Sequence, residues 1–581
     1  MTHPEQVALA QPEDAHTRAE WEREAAAVLR KSKRLQDDDP DAAVWEKLTR
    51  RTLDGIGIPP LGLPDAPAGG LRPTRVGGWD IRSHFSGSSA AAVNEEALAE
   101  LEGGATSLWL DLSAEGSADD LAAVLEGVLL DLAPVVLDAP TQAVAAAEAY
   151  LAVLEKNGST AAAGSSLGAD PLGALLRGLP LAPDEAFDEL RTLTDLAREH
   201  DLGAVVVDAT AAHDLGGSDA QELGWSIAAG VAYLRALTDQ GLSVDDAARL
   251  VDFRYAATDE QFPTIAKLRA ARRLWARVLE ISGANDVVQH QHAVTSRPML
   301  SKYDPHVNML RTTVAAFAAG VGGADAVTVL PFDSANGRSE EFPRRIARNV
   351  SHLLLDESHV GVVVDPAGGA YAVEQLTDDL AEAGWAEFQR LEAEWESGHD
   401  FDPFRERIAV VVAERDRQIA TRRRPLTGLS EFPLADERPL VREPDPLADR
   451  APRYGAAFEA LRDQPAEKHV FVATLGTVAQ HTARATFATN LLAAGGIAVD
   501  VAGATSGIDD LVAAYAGQPV VVLAGSDALY AERGEAAAQA LRAAGARRIV
   551  VAGKPLAGCD DNVAMGDDAV AFLTRTKEAL A

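Results

Sequence analysis

The residues with the most obvious chemical potential in this chain are histidines. His481 sits in the stretch Leu475-Gly476-Thr477-Val478-Ala479-Gln480-His481-Thr482-Ala483-Arg484. Imidazole is a common metal ligand, and a ligating ring normally has its second nitrogen held by a carboxylate or carbonyl. No acid lies within five residues of His481 on either side, so an ordinary surface or helix-start histidine is the expected reading. His290-Gln291-His292 alternates, which on a strand puts both imidazoles on one face. Without a neighbouring Asp, Glu or Cys, they suggest a polar lining more than a metal site. Lys267-Leu268-Arg269-Ala270-Ala271-Arg272-Arg273 is a basic run in an acidic protein. It could bind phosphate, but a solvated basic helix face is the simpler expectation. Asp333-Ser334-Ala335-Asn336 is small and polar and contains no paired acids. The chain has no P-loop and no evident Ser/His/Asp or Cys/His arrangement.

These residues must be held by something, and the sequence shows a repeating scaffold. From about residue 75 to 335, short apolar runs alternate with helical segments. The runs are Trp79–Phe85, Ser107–Leu112, Pro134–Ala139, Thr160–Leu167, Gly203–Asp208, Leu250–Ala256, Val287–Ala293 and Ala326–Phe332. Eight strand–helix units predict an α/β fold with a parallel (β/α)8, TIM-type barrel. His290 and His292 fall on its seventh strand, and Asp333 follows its eighth.

Residues 340–424 carry apolar positions at three- and four-residue spacing and read as a helical extension. Residues 425–466 are rich in proline and charge and read as a linker. HVFVATLG, AVDVAG, VVVLAG and RIVVAG then give four short strands ending near glycines, a flavodoxin-like doubly wound pattern. The expected domains are therefore an arm at 1–45, a barrel with its extension at 46–424, a linker at 425–466 and a second α/β domain at 467–581. Within the arm, Ala15 to Leu35 reads as helical. Such a segment is either a loose tail or an arm that folds onto a partner.

The chain has 581 residues, which calls for more than one core. Its formal charge is −35, which disfavours nucleic-acid phosphates as partners. No apolar run of about 18 residues suggests a membrane span. The N-terminal sequence has no basic region followed by an apolar one, so no secretory signal is expected. The single cysteine, Cys559, excludes an internal disulfide. A cytoplasmic protein is expected.

Four long phrases carry a family resemblance: Asp214–Leu237 (DLGGSDAQELGWSIAAGVAYLRAL), Ile265–Glu280 (IAKLRAARRLWARVLE), Phe342–Ser358 (FPRRIARNVSHLLLDES) and Val363–Trp385 (VVDPAGGAYAVEQLTDDLAEAGW). They closely resemble methylmalonyl-CoA mutases, and the likeness covers roughly residues 45–581. It implies a C-terminal domain of the cobalamin-binding type and an acyl-CoA site along the barrel axis. It also implies radical interconversion of methylmalonyl-CoA and succinyl-CoA with adenosylcobalamin. Here the cofactor carries the chemistry while protein positions substrate and excludes water.

The family's functional positions are replaced in this chain. Its Asp-x-His-x-x-Gly loop reads Val478, Gln480 and Ala483, and the upstream lysine is Thr474. Its barrel Tyr-His pair reads Thr210-Ala211, in the phrase Asp208-Ala209-Thr210-Ala211. Its substrate-carboxylate arginine aligns near Ala186, and its last-strand glutamate aligns with Ser334. The Tyr-rich phrase before Trp79-Asp80-Ile81-Arg82 becomes Gly70–Gly78. Only His292 and Thr295-Ser296 keep their types.

The resemblance is therefore to the smaller, non-catalytic chain of heterodimeric members. It implies no catalytic, cofactor-binding or metal residues in this chain. Adenosylcobalamin would be bound by the partner, a catalytic large subunit, and the N-terminal arm would wrap that partner. The rival expectations are a diverged but competent acyl-CoA mutase using His481, and an accessory module docking a cofactor-loading GTPase.

Overall fold

Valines at 205, 206 and 207 make Gly203–Asp208 β-branched and apolar on both faces, as a strand covered on both sides requires. Seven further strands join it. The barrel strands are β1 (Asp80–Ser86), β2 (Ser107–Asp111), β3 (Val135–Asp138), β4 (Ser166–Ala169), β5 (Gly203–Asp208), β6 (Val251–Ala257), β7 (His290–Thr295) and β8 (Ala326–Thr328). In the computed structural model they form a closed, wholly parallel barrel, with β8 pairing both β7 and β1. The structure describes residues 15–64, 74–87, 89–284, 287–395, 398, 400–434, 437, 440–448 and 450–581.

The expected eight-stranded barrel is thus borne out. β4 lies nearer the C-terminus than the Thr160–Leu167 reading. Residues 160–163 are Thr-Ala-Ala-Ala, with little β-branched bulk, and Gly164 turns the chain at φ +90°. Gly168 bulges at φ +69°, where a Cβ would strike the Leu137 carbonyl, and the register with β5 shifts there. β8 stops early, before Pro331, which has no N–H to donate.

Outside the strands, the helix Tyr371–Trp395 lies across the helices Asp219–Asp239 and Gln261–Ser282. Gly224 and Gly384 permit this approach. A Cβ on Gly224 would meet Glu387 at 2.6 Å, and one on Gly384 would meet Leu223 at 2.8 Å. The extension expected at 340–424 is helical, over Glu341–His352, Tyr371–Trp395 and Asp402–Ala420. No helix among the described residues is long and apolar enough to cross a membrane.

The second domain has five parallel strands: β9 (Val470–Thr474), β10 (Val499–Val501), β11 (Val520–Ala524), β12 (Arg548–Ala552) and β13 (Asp561–Val563). Their order, β10-β9-β11-β12-β13, is the doubly wound flavodoxin-like one. The fifth strand, Asp561–Val563, escaped the sequence reading because it is three residues long and only Val563 is buried. The segment between the domains runs over the barrel mouth. Arg442 pairs with Asp333 at 2.7 Å, and Tyr454 N–H bonds the Pro298 carbonyl at 2.8 Å. It contains a helix, Ala456–Arg462, that the proline-rich composition had hidden.

At the N-terminal end, the helix Arg18–Lys31 opens on a capping box between Thr17 and Glu20. Ala26, Leu29, Leu35 and Val44 form a small apolar cluster separate from the barrel core. Trp21 and Trp45 pack beside it with ring centroids 4.8 Å apart.

Candidate functional site

Alternation along the strands aims one set of residues at the barrel axis. From β1 to β8 these include His84, Trp109, Asp111, Asp138, Asp208, Arg254, His292 and Thr328. Arg254 is the hub. Its Nη1 donates to Asp138 at 2.9 Å and to Asp208 at 3.0 Å. Its Nε donates to His292 Nδ1 at 3.3 Å. His292 then carries its proton on Nε2 and donates to Thr328 Oγ1 at 2.7 Å, and Thr328 donates on to the Arg82 carbonyl at 2.8 Å. Burial pushes the His292 imidazole well below its usual value, and Arg82 and Arg254 add to this, so it is neutral.

A second arginine, Arg177, binds Asp208 at 2.7 Å. Thr210 donates to the same carboxylate at 2.6 Å. Burial alone would raise the Asp208 carboxyl, but Arg177 and Arg254 hold it well below the carboxylate range. Asp170 accepts from Tyr233 OH at 2.6 Å. Burial, with the negative charge of Asp208 nearby, pushes the Asp170 carboxyl up to about 7. Trp109 Nε1 reaches Asp138 at 3.2 Å, and His84 pairs with Asp111 at 3.3 Å.

This interior is packed rather than hollow. The cavities opening on the barrel mouth and on the β1–β8 wall have volumes of about 60 and 30 Å³. Spaces of that size hold a few waters at most, whereas small-molecule pockets run to about 300–1,000 Å³. Within the network, Arg177 and Arg254 neutralise Asp138 and Asp208.

The residues expected to stand at the family's functional positions can now be located. Thr210 and Ala211 open the short helix Thr210–Asp214, both buried. Ser334 lies in the turn after β8, beside Asp333 and its partner Arg442. Residues 70–73 and the Ala186 side chain lie outside the described residues. His290 pairs with Asp252 at 3.3 Å at the other end of β7, while His292 is buried in the barrel, so both belong to a polar lining as expected.

Of the four cations in the run at 267–273 only Arg273 is exposed, so the expectation of a solvated basic face is corrected for the other three. Lys267 and Arg269 are fully buried. Lys267 Nζ lies 2.5 Å from Glu222 and 2.9 Å from Asp219, which keep it charged despite burial. Arg269 pairs with Asp365 and Glu374. Arg272 donates to the Gly322 and Gly323 carbonyls. These cations lie on the inner side of their helix and tie it to its neighbours.

In the second domain, Thr477 caps the helix Val478–Ala494 and Gln480 closes the capping box. Thr474 Oγ1 donates to the Gly503 carbonyl, and Thr505 Oγ1 donates back to Thr474 at 2.8 Å. Arg484 spans the crevice to the Gly525 carbonyl at 2.6 Å and to Asp527 at 2.5 Å. Val478 is exposed, and Ala483 offers only a methyl. His481 stands at the helix start but is buried, not on the surface, and its Nδ1 has no hydrogen-bond partner.

Sequence reading missed Arg254, Trp109, Asp138, Arg177 and Asp170. The signal was present in part. Arg254 within LVDFRYA and Trp109 within SLWLDL interrupt apolar runs at inward-facing alternate positions.

A family model described as methylmalonyl-CoA mutase matches residues 114–515. A methylmalonyl-CoA mutase small subunit from Streptomyces virginiae is 46% identical, covering 97% of each chain. One from Propionibacterium freudenreichii subsp. shermanii is 35% identical, covering 95% of this chain and 91% of that one. A third, from Porphyromonas gingivalis, is 33% identical over 89% of this chain and 90% of its own.

Proposed function

Because this chain belongs to the methylmalonyl-CoA mutase family, we propose that it is the non-catalytic subunit of an adenosylcobalamin-dependent methylmalonyl-CoA mutase, pairing with and stabilising a catalytic large subunit. The observation that carries this reading is the filled barrel. Trp109 and Arg254 occupy the axis, and the space left at its mouth is about 60 Å³. An acyl-CoA thioester cannot enter such an interior without dismantling a network of buried charges.

The second domain does not fit a corrin cofactor either. The carboxyl ends of β9 and β11, where ligands bind in doubly wound sheets, are bridged by the chain's own groups. Thr474 is tied to Gly503, and Arg484 is tied to Gly525 and Asp527. A Cβ on Gly476 would meet Gln480 at 2.6 Å and Leu529 at 2.7 Å, so the loop is closely filled. The position for a cobalt ligand holds Gln480, whose amide is engaged with Thr477. The radical rearrangement is thus assigned to the partner, and no step of it is routed through this chain. The small-subunit names of the relatives support the pairing. The separate cluster of the N-terminal helices suits an arm that reaches onto that partner.

The test is direct. The purified chain is given adenosylcobalamin and methylmalonyl-CoA, then co-expressed with a large subunit. A one-to-one heterodimer on size exclusion is expected, together with no turnover and no stoichiometric corrin spectrum from the chain alone. Turnover by the isolated chain would overturn the reading in favour of a diverged, competent mutase.

A further inference from the structure

We propose that the mouth of the barrel holds a site for a small oxyanion, a free carboxylate or phosphate, built around Arg297. Arg297 lies two residues beyond β7, in the turn that leads away from the barrel. Its side chain is only 18% exposed. Its guanidinium makes no hydrogen bond with any described residue. The nearest carboxylate is Asp214, at 4.0 Å, the outer edge of an ion pair. On another side lies the Trp109 ring, 5.7 Å to its centroid, whose face is already taken by Arg254 at 3.9 Å. A guanidinium has five N–H donors. None of the Arg297 nitrogens is sealed off without a partner, so these donors stay open to the space beside them.

The space beside Arg297 suits such an anion. It is a cavity of about 60 Å³, and its wall collects cations from segments far apart in sequence. Arg338 follows β8, Arg344 comes from the helix Glu341–His352, and Arg453 comes from the segment that crosses the barrel mouth. His84 completes the wall from β1. Each of these arginines is held in place by its own acidic and carbonyl partners. Arg338 binds the Ser86 carbonyl at 3.0 Å and Glu115, with Glu443 at 3.9 Å; Arg344 binds Glu96 at 2.8 Å and the Ser339 carbonyl at 3.1 Å; Arg453 binds Glu459 at 2.8 Å and the Ala448 carbonyl at 3.4 Å.

One carboxylate also lines the cavity. Asp445 accepts the Leu447 N–H at 3.0 Å, so it is engaged with its own turn. A space of this size holds a few waters. It admits a carboxylate or phosphate group and excludes a nucleotide or a thioester of coenzyme A. The net charge of −35 does not oppose this, because physiological salt screens exposed charge beyond about 8 Å. The proposal is independent of the subunit reading above.

The experiment is titration calorimetry on the full chain in a zwitterionic buffer, with inorganic phosphate and succinate as separate probes. One-to-one binding of at least one probe is expected, and the probe that binds tells phosphate from carboxylate. Arg297→Gln should weaken that binding by at least about tenfold, the scale of one charge-assisted hydrogen bond. Ala448→Phe fills the cavity without touching a charge and should abolish it. Arg277→Gln, on an exposed helix face, should leave it unchanged. If Arg297→Gln fails to fold, as judged by circular dichroism, Ala448→Phe decides. Saturable binding of neither probe, or binding that survives Ala448→Phe, overturns the proposal.

Discussion

The guanidinium carbon of Arg254 lies 3.9 Å from the centroid of the Trp109 ring, and the same guanidinium joins Asp138 to Asp208. Arg254→Met therefore removes a buried cation and leaves two buried carboxylates short of a partner. A loss of about 3–5 kcal/mol in unfolding free energy is expected from urea denaturation. Adding Asp138→Asn to that variant should restore part of the loss, because one orphaned charge disappears. If the single variant unfolds at the wild-type urea concentration, the network does not hold the barrel.

Asp170 gives the barrel a pH signature. Its folded value of about 7 lies above the ordinary aspartate value of about 3.9. The folded state thus keeps this proton over a range where the unfolded chain has released it. Stability from this group is intact below about pH 4, declines as pH rises, and is fully lost above about pH 7. Asp170→Asn has no such proton to lose. Its stability relative to wild type should rise between about pH 4 and pH 7, on the order of a few kcal/mol. Parallel denaturation profiles for the two proteins across that range would contradict the assignment.

His481 is buried with one ring nitrogen unpartnered. Replacing such a group by an apolar one of similar size is often neutral or stabilising. His481→Leu should change the unfolding free energy by less than about 1 kcal/mol. It should also leave the turnover of a reconstituted complex unchanged, as a steady-state assay would show. A large drop in turnover would favour the competent-mutase reading.

Removing residues 1–48 takes away the N-terminal helices together with their own apolar cluster. The truncated chain should keep the unfolding midpoint of the barrel. Its affinity for the large subunit should fall, as measured by analytical ultracentrifugation. A truncated chain that pairs as tightly as the full one would remove the arm from the interface.

Barrel and sheet were legible because their signals are local. Val205–Val207, for example, announce a buried strand without help from the rest of the chain. The errors came where tertiary partners decide. Lys267 and Arg269 look like a solvated basic face until Glu222, Asp219, Asp365 and Glu374, lying 45–105 residues away, are seen to meet them. Arg254 escaped notice for the same reason, since its carboxylates come from β3 and β5. β13 was invisible because three residues, two of them polar, carry no periodicity. Thr474, Val478, Gln480 and Ala483 are singled out by the sequence as the expected counterparts of the family's cofactor positions. The closure of the surrounding crevice by Arg484 could not be read there, because it depends on a contact with Gly525, 41 residues on.

The charge network inside the barrel also constrains how this interior can change over time. Asp208 leans on Arg177, Arg254 and Thr210, while Arg254 leans on Asp138, Asp208 and His292. Any one replacement strands the others. To hollow the axis into a passage, Trp109, Arg254 and at least one aspartate would have to change together. Each intermediate sequence would carry an uncompensated buried charge. The packed barrel therefore behaves as a ratchet, and mutation one residue at a time has no easy route from it to an open channel.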